Sequence, residues 1–465
     1  MRTKLIFTLI LPALCLASCQ KQLVAPAPQL REESGPQLRA EPSYINVPVS
    51  IPYKGIEEAL EKSQGKNLYT DDSYDNNNKD GIKIKVTKKG AFDFRGYKEY
   101  IRITLPLGIW FSGRWEACDF CPAVESSTDF DANITFTSRL ALNMDWKLAT
   151  QTDATSFEVT RDPYIKVGPL NLNARKVVEY ALRENLEDLA KTIDTELQNG
   201  FDLKKHAEDT WKQLQRPMLA DSAYNAWIRF SPEEFILAPI QCGKEDVTIS
   251  GALLTGISTS LGAMPAVPLK PLPGITFKEK NDNAFRVELA IEIPFTEATA
   301  IARRELKDTV FPVTKKKQIK IDDIEIFGKA GEVFIKVKTS GSLRSVIFLK
   351  GTPAYDETTR ELYLNNFDYE LQSKQALVKA ASWLLKSTVR NRMAKAFRYP
   401  MDEDYAAARA AMDSYLADYT YKDLFTVKGR VNALKIKGVS SDDEKIYAVF
   451  YTDGTARVKM LNISW

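Results

Sequence analysis

One run of residues constrains this chain more than any other. Between residues 134 and 148, Ile134, Phe136, Leu140, Leu142, Met144, Trp146 and Leu148 share one parity, interrupted only by Ser138. A period of two sustained this long specifies an extended antiparallel strand with one apolar face and one wet face. At about 3.3 Å per residue it spans about 50 Å, well beyond the usual strand. Shorter alternations precede it, with Ile82, Ile84 and Val86 set against Lys83, Lys85 and Thr87, and then Ile101, Ile103 and Leu105. A helical stripe follows, formed by Val178, Leu182, Leu186, Leu189, Ile193 and Leu197. A second amphipathic segment carries Ala207, Trp211, Leu214 and Met218, and strand-like text resumes at Tyr224.

The same order then begins again. At 465 residues the chain exceeds what one hydrophobic core usually carries. The proline-dense "MPAVPLKPLPG", residues 264–274, breaks regular structure and marks a linker. After it, Phe285, Val287, Leu289, Ile291 and Ile293 alternate with Arg286, Glu288 and Glu292. They lead into Ile293-Pro294-Phe295 and a helix, as Ile51-Pro52-Tyr53 does earlier. Further strands, a long helix (Leu377, Ala381, Leu384, Leu385, Val389, Met393, Phe397) and a second helix (Tyr405, Ala408, Met412, Tyr415, Tyr419) complete the second copy. The reading is an internal duplication: a first module over 44–263, a Pro-rich linker over 264–275 and a second module over 276–465.

The N-terminus, "MRTKLIFTLILPALCLASC", has Arg2 and Lys4, then an apolar run too short to cross a bilayer, then small residues. That is a secretory signal over 1–18. Leu16-Ala17-Ser18-Cys19 resembles the bacterial lipoprotein signature. The resemblance implies acylation of Cys19 and cleavage before it, and several acyl chains anchor stably. Gln20 stands where an aspartate would retain a lipoprotein at the inner membrane, so the resemblance implies an outer-membrane protein facing the periplasm. Residues 19–43, rich in Pro, Gln and charge, read as a flexible tether.

Composition excludes several chemistries. The net charge of +3 becomes +1 once Arg2 and Lys4 leave with the leader, so no charge excess points to nucleic acid. His206, the sole histidine, lies on a charged helical stretch and has no nucleophile motif beside it. One histidine does not make the usual zinc site. "DDSYDNNNKDG" fails as a calcium loop, because Thr87 stands where the closing glutamate belongs. Cys118 and Cys121 form a C-x-x-C in a loop-like insertion, read as a structural disulfide or free thiols ahead of redox or metal roles, and Cys242 is left over. Asp322-Asp323 could serve a glycosidase, but a chain with 61 acidic residues offers many such pairs. No enzyme activity, cofactor or metal is expected.

Strand order, repeat and the Ile-Pro-aromatic openings resemble the tubular lipid-binding (TULIP) superfamily, whose two-barrel type is the bactericidal/permeability-increasing protein, and a family of Bacteroides-type lipoproteins. The resemblance implies an α+β fold of two tandem modules, each a long curved antiparallel β-sheet wrapped around a long amphipathic helix. It implies a non-catalytic binder of a lipid or other elongated apolar ligand, since a cleft between sheet and helix buries acyl chains at about 0.8 kcal/mol per methylene. Phe136, Leu140, Leu142, Met144, Trp146, Leu186, Ile193, Leu385 and Met393 are the candidate liners, with plain core packing as the alternative for each. A second reading is an envelope glycan- or protein-binding scaffold, with Trp110, Phe111 and Trp115 as an aromatic platform. A hydrolase built on a carboxylate pair is the third.

Overall fold

The computed structural model describes residues 23–25, 27–28, 38–64, 67–75, 81–115, 123–167, 170–173, scattered helical positions between 175 and 198, and residues 203–314, 316–421 and 423–461. It is mostly antiparallel β-sheet with short helices. The chain forms two compact units, each discontinuous in sequence. The larger comprises Arg39–Glu292, Asp402–Gly438 and Ala448–Trp465; the smaller comprises Met1–Leu38, Ile293–Met401 and Val439–Tyr447. The chain thus first leaves the larger unit after Glu292, not in the Pro-rich segment 264–275, which stays inside that unit.

The larger unit holds a six-stranded sheet built on Tyr100–Trp115 and Val124–Leu142. These pair without interruption from Tyr100↔Arg139 to Trp115↔Val124. Ile82–Lys88 and Asp93–Tyr97 share the far edge of Tyr100–Trp115, and Leu148–Arg161 covers the other side of Val124–Leu142. The second of these long strands has 19 residues, roughly 60 Å at about 3.3 Å per residue. Two bulges, at Asp131/Ala132 and Thr135/Phe136, bend its pairing with Leu148–Arg161.

The strand does not run on through Met144 and Trp146 as the alternation suggests. It stops at Leu142, and residues 143–147 make a tight turn. Asn143 Oδ1 accepts the backbone N–H groups of Asp145 (3.0 Å) and Lys147 (2.9 Å), and Trp146 takes a left-handed φ of 63°. Asparagine's local capping of its own backbone overrides the apolar pattern here. The indole Nε1 of Trp146 donates to Pro273 O at 2.8 Å, and Ile275 N–H donates to Met144 O at 3.1 Å, so the Pro-rich segment packs on this turn.

A twelve-stranded sheet completes the larger unit's framework, with Ala226–Leu237 and Gly251–Leu261 paired toward one end and Ser43–Asn46 beside the latter. The buried Glu288 carboxylate accepts Lys437 Nζ at 2.7 Å and the Glu41 N–H at 2.9 Å, which fixes the start of the folded body. That bond raises the Lys437 amine above its ordinary value.

In the smaller unit, strands from Val310–Thr314 to Tyr399–Pro400 form a seven-stranded sheet. Its extra edge strand is Leu23–Val24, paired in parallel with Ser345 and Val346, with Ala25 N–H donating to Val346 O at 3.1 Å. Part of the segment read as a flexible tether therefore closes a sheet edge, which exposed backbone groups invite.

The long helix expected over 377–397 is instead three short pieces, Leu371–Ala380, Ser382–Leu385 and Ser387–Ala396. Ala381 (φ −152°) and Lys386 (ψ 136°) leave helical geometry. The breaks let Leu377, Ala381, Leu384 and Val389 all reach one core with Ile335, Ile347 and Leu349. Tyr369 Oη donates to Leu384 O at 3.1 Å, satisfying a carbonyl that the break removes from the helical ladder. The sheet-around-one-long-helix architecture is thus corrected in this unit.

The repeated Ile-Pro-aromatic phrase makes one local structure twice. Tyr53 opens the helix Tyr53–Gln64, and Phe295 opens Phe295–Leu306, each of 12 residues. Both rings are buried. Proline has no N–H to lose at a helix start. The first helical N–H is satisfied by a distant carbonyl in each case: Tyr53 N to Glu245 O and Phe295 N to Glu444 O, both 3.0 Å. A strand glycine faces each ring, Gly96 at Tyr53 and Gly328 at Phe295.

Candidate functional site

The inner face of the six-stranded sheet carries a cluster of buried apolar residues. Alternate residues of four strands point into it: Ile84 and Val86; Leu105, Leu107, Ile109 and Phe111; Phe130, Ala132, Ile134 and Phe136; Val159. Its described cover is helical, with Leu186 and Ala190 one turn apart and both buried. Asp194, one further turn along, accepts the Thr152 hydroxyl at 2.6 Å and the Thr152 N–H at 3.0 Å, which locks that helix to the sheet.

The sequence-derived liners separate into several places. Phe136 and Leu186 meet in this core. Leu140 and Leu142 are half-buried against a second cluster around Tyr53, Ile101, Ile240 and Val247. Met144 is 64% exposed on the turn, and Trp146 packs on Phe235 with ring centroids 4.7 Å apart, so neither lines a cleft. Leu385 and Met393 belong to the smaller unit's core, where Met393 S accepts from Tyr369 Oη at 3.3 Å. Burial pushes that phenol up to about 12. Cys19, Cys118, Cys121 and Ile193 lie outside the described residues, as does the 76–80 stretch of the rejected calcium loop.

Other candidate chemistry resolves individually. Phe111 is 1% exposed and points inward, so it cannot share a surface platform with Trp110, its neighbour of opposite parity. Asp322 accepts from Ser340 Oγ at 2.6 Å, while Asp323 binds Arg303 Nε at 2.8 Å, which holds the Asp323 carboxyl below the ordinary range. His206 is exposed on the helix Leu203–Leu214. No cluster of three or more potential metal ligands occurs among the described residues.

Cys242 is a buried free thiol behind Tyr53, and burial pushes it up to about 11. The thiolate is the reactive species. In the native protein Cys242 is therefore expected to resist iodoacetamide at pH 8 and to be alkylated once denaturant is added; peptide mapping by mass spectrometry reads both states.

The sequence reading missed a polar pocket on the opposite, wet face of the six-stranded sheet. It has a volume of about 490 Å³ and includes Arg95, Tyr97, Arg102 and Thr104 among its walls. The signal was present in the polar parity of residues 102 and 104, but only strand pairing brings residues 93–97 alongside.

No curated protein matches this chain. Among solved structures, lipopolysaccharide binding protein aligns at 12% identity and a TM-score of 0.26, over 91% of this chain and 100% of that one. P47 of Clostridium botulinum E1 aligns at 9% identity and a TM-score of 0.19, over 88% and 98%. A family model matches residues 41–460, nearly the whole folded body, and the chain belongs to that family, described as a domain of unknown function (DUF4403).

Proposed function

We propose that this protein is an outer-membrane-anchored, periplasm-facing lipoprotein that binds a lipid or another elongated apolar ligand without covalent chemistry. The observation that carries the reading is the apolar inner face of the six-stranded sheet, whose buried stretch runs from Leu105 to Phe111 on one long strand and from Phe130 to Phe136 on the next. A face of that length suits an acyl chain, each methylene of which gains about 0.8 kcal/mol on leaving water. In this reading the helix bearing Leu186 and Ala190, which packs on that face, gives way to admit the ligand, and the smaller unit is a second module of the same ancestry. The twice-built Ile-Pro-aromatic junction supports that ancestry.

Ligand binding is tested with cis-parinaric acid, whose fluorescence rises in apolar surroundings. Saturable binding, displaced by unlabelled fatty acid or phospholipid, is expected of the full-length protein in mild detergent. Absence of saturable binding sinks the ligand half of the proposal. Anchoring rests on Cys19. Radiolabelled palmitate is expected to enter the wild-type protein in a Gram-negative host and to be lost in Cys19→Ser, which should also leave the outer-membrane fraction. Undiminished labelling of Cys19→Ser rejects the anchor.

A further inference from the structure

The wet face of the larger unit's six-stranded sheet holds two arginines in direct cross-strand register. In the pairing of Asp93–Tyr97 with Tyr100–Trp115, Arg95 stands opposite Arg102, Asp93 opposite Thr104, and Tyr97 opposite Tyr100. Like charges facing each other on one sheet face are destabilising unless a counter-charge is near. Asp93 serves Arg95, with Oδ2 at 3.0 Å from Nη2 and Oδ1 at 3.3 Å from Nε.

Arg102 has no carboxylate within ion-pair distance among the described residues. Its Nη1 donates to Tyr97 Oη at 3.1 Å, and its guanidinium lies 4.6 Å from the centre of the Tyr97 ring. Tyr97 in turn stacks on Tyr100 at 5.2 Å. The guanidinium is thus held in place by aromatic groups, with most of its five N–H donors unused by the described residues.

Hydroxyls floor the pocket beside it. Thr104 Oγ1 lies 3.2 Å from Thr135 Oγ1, Thr155 Oγ1 donates to Thr135 O at 3.1 Å, and Ser156 adds a further hydroxyl to the lining. The volume, about 490 Å³, falls in the range of small-ligand sites. Beyond Asp93, this face carries Arg139 opposite Tyr100 and Asp153 opposite Thr137.

We propose that this pocket binds a phosphate group, presented either by a free phosphorylated solute or by a phospholipid headgroup. A guanidinium fork pairs with phosphate oxygens through two parallel hydrogen bonds, and such charge-assisted bonds are about twice as strong as neutral ones. Phosphate also has enough oxygens to engage Arg102, Arg95 and the floor hydroxyls together, and its charge offsets the opposed arginines. The site is on the face opposite the apolar one, so it stands or falls independently of the lipid reading.

Isothermal titration calorimetry of the full-length protein in non-ionic detergent tests it. The probes are inorganic phosphate and dihexanoylphosphatidylglycerol below its micelle concentration. The wild type is expected to bind at least one probe saturably, and Arg102→Gln to bind that probe at least tenfold more weakly, with Arg102→Lys between them. Far-UV circular dichroism confirms that the variants stay folded, which the half-exposed position of Arg102 favours. Binding of inorganic phosphate assigns a free phosphorylated solute; binding of the lipid alone assigns a headgroup. The proposal is overturned if neither probe binds, or if Arg102→Gln binds as tightly as the wild type. Lipid binding that ignores Arg102→Gln overturns this site while leaving the apolar-face reading intact.

Discussion

Phe136→Ala is expected to destabilise the larger unit by about 3–5 kcal/mol, the range for deleting a buried aromatic ring. Phe136 is 0% exposed and sits in register between Ile103 and Ala154 on the apolar face. The lost ring removes transfer free energy, and the paired strands on both sides prevent the hole from collapsing. Phe136→Leu keeps most of the volume and should cost less than about 1.5 kcal/mol. Chemical unfolding followed by tryptophan fluorescence reads both. A cost for Phe136→Ala below about 1 kcal/mol would mean that the ring lines open space and is not packed against protein.

Gly96→Ala is expected to cost more than about 3 kcal/mol, beyond the usual overpacking range. A Cβ at Gly96 would lie 1.8 Å from Gly243 O, 2.4 Å from Tyr53 Oη and 2.6 Å from Cys242 O. Two of those three atoms are backbone, so no side-chain rotation relieves the clash. Gly328→Ala should act alike in the smaller unit, where the Cβ would meet Asp442 O and the Phe295 ring, each at 2.3 Å. Gly256 is the control, because its nearest neighbour is Ser231 Cβ at 3.7 Å. Gly256→Ala should be neutral or stabilising by up to about 1 kcal/mol, through the unfolded chain. Differential scanning calorimetry of the three variants separates these outcomes. Equal midpoints for Gly96→Ala and Gly256→Ala would contradict the close approach at the Ile-Pro-Tyr junction.

Much of the local structure was legible because it depends on residues close in sequence. Strand parity at 82–86, 101–105 and 134–142 followed from alternation, and both Ile-Pro-aromatic phrases do open helices. The errors arose where a short-range or a very long-range effect outweighed periodicity. Asn143 turned the chain inside an apolar pattern. The stripe from Leu377 to Phe397 kept helical spacing, yet Ala381 and Lys386 broke the helix so that its residues could reach one core. Leu23–Val24 looked like tether because its partners, Ser345 and Val346, are more than 300 positions away. Gly96 and Gly328 carried no signal in sequence, since what crowds them arrives from Gly243 and Asp442. Among the proposed liners within the described residues, Phe136 and Leu186 meet on the six-stranded sheet, Leu140 and Leu142 in a second cluster, and Leu385 and Met393 in the smaller unit, because parity assigns a face but not the body that covers it. The arginine pocket was hidden for the same reason: Arg95 and Arg102 become neighbours only through strand register.

The most direct test of the central claim is native mass spectrometry of the full-length protein purified from the membranes of a Gram-negative host, followed by solvent extraction of whatever travels with it. The account predicts the protein mass plus a stoichiometric, non-covalent phospholipid or fatty acid, distinct from any acyl groups on Cys19 and released by organic solvent. A protein that carries no such lipid, and takes up none when phospholipid and fatty acid are supplied, would contradict it.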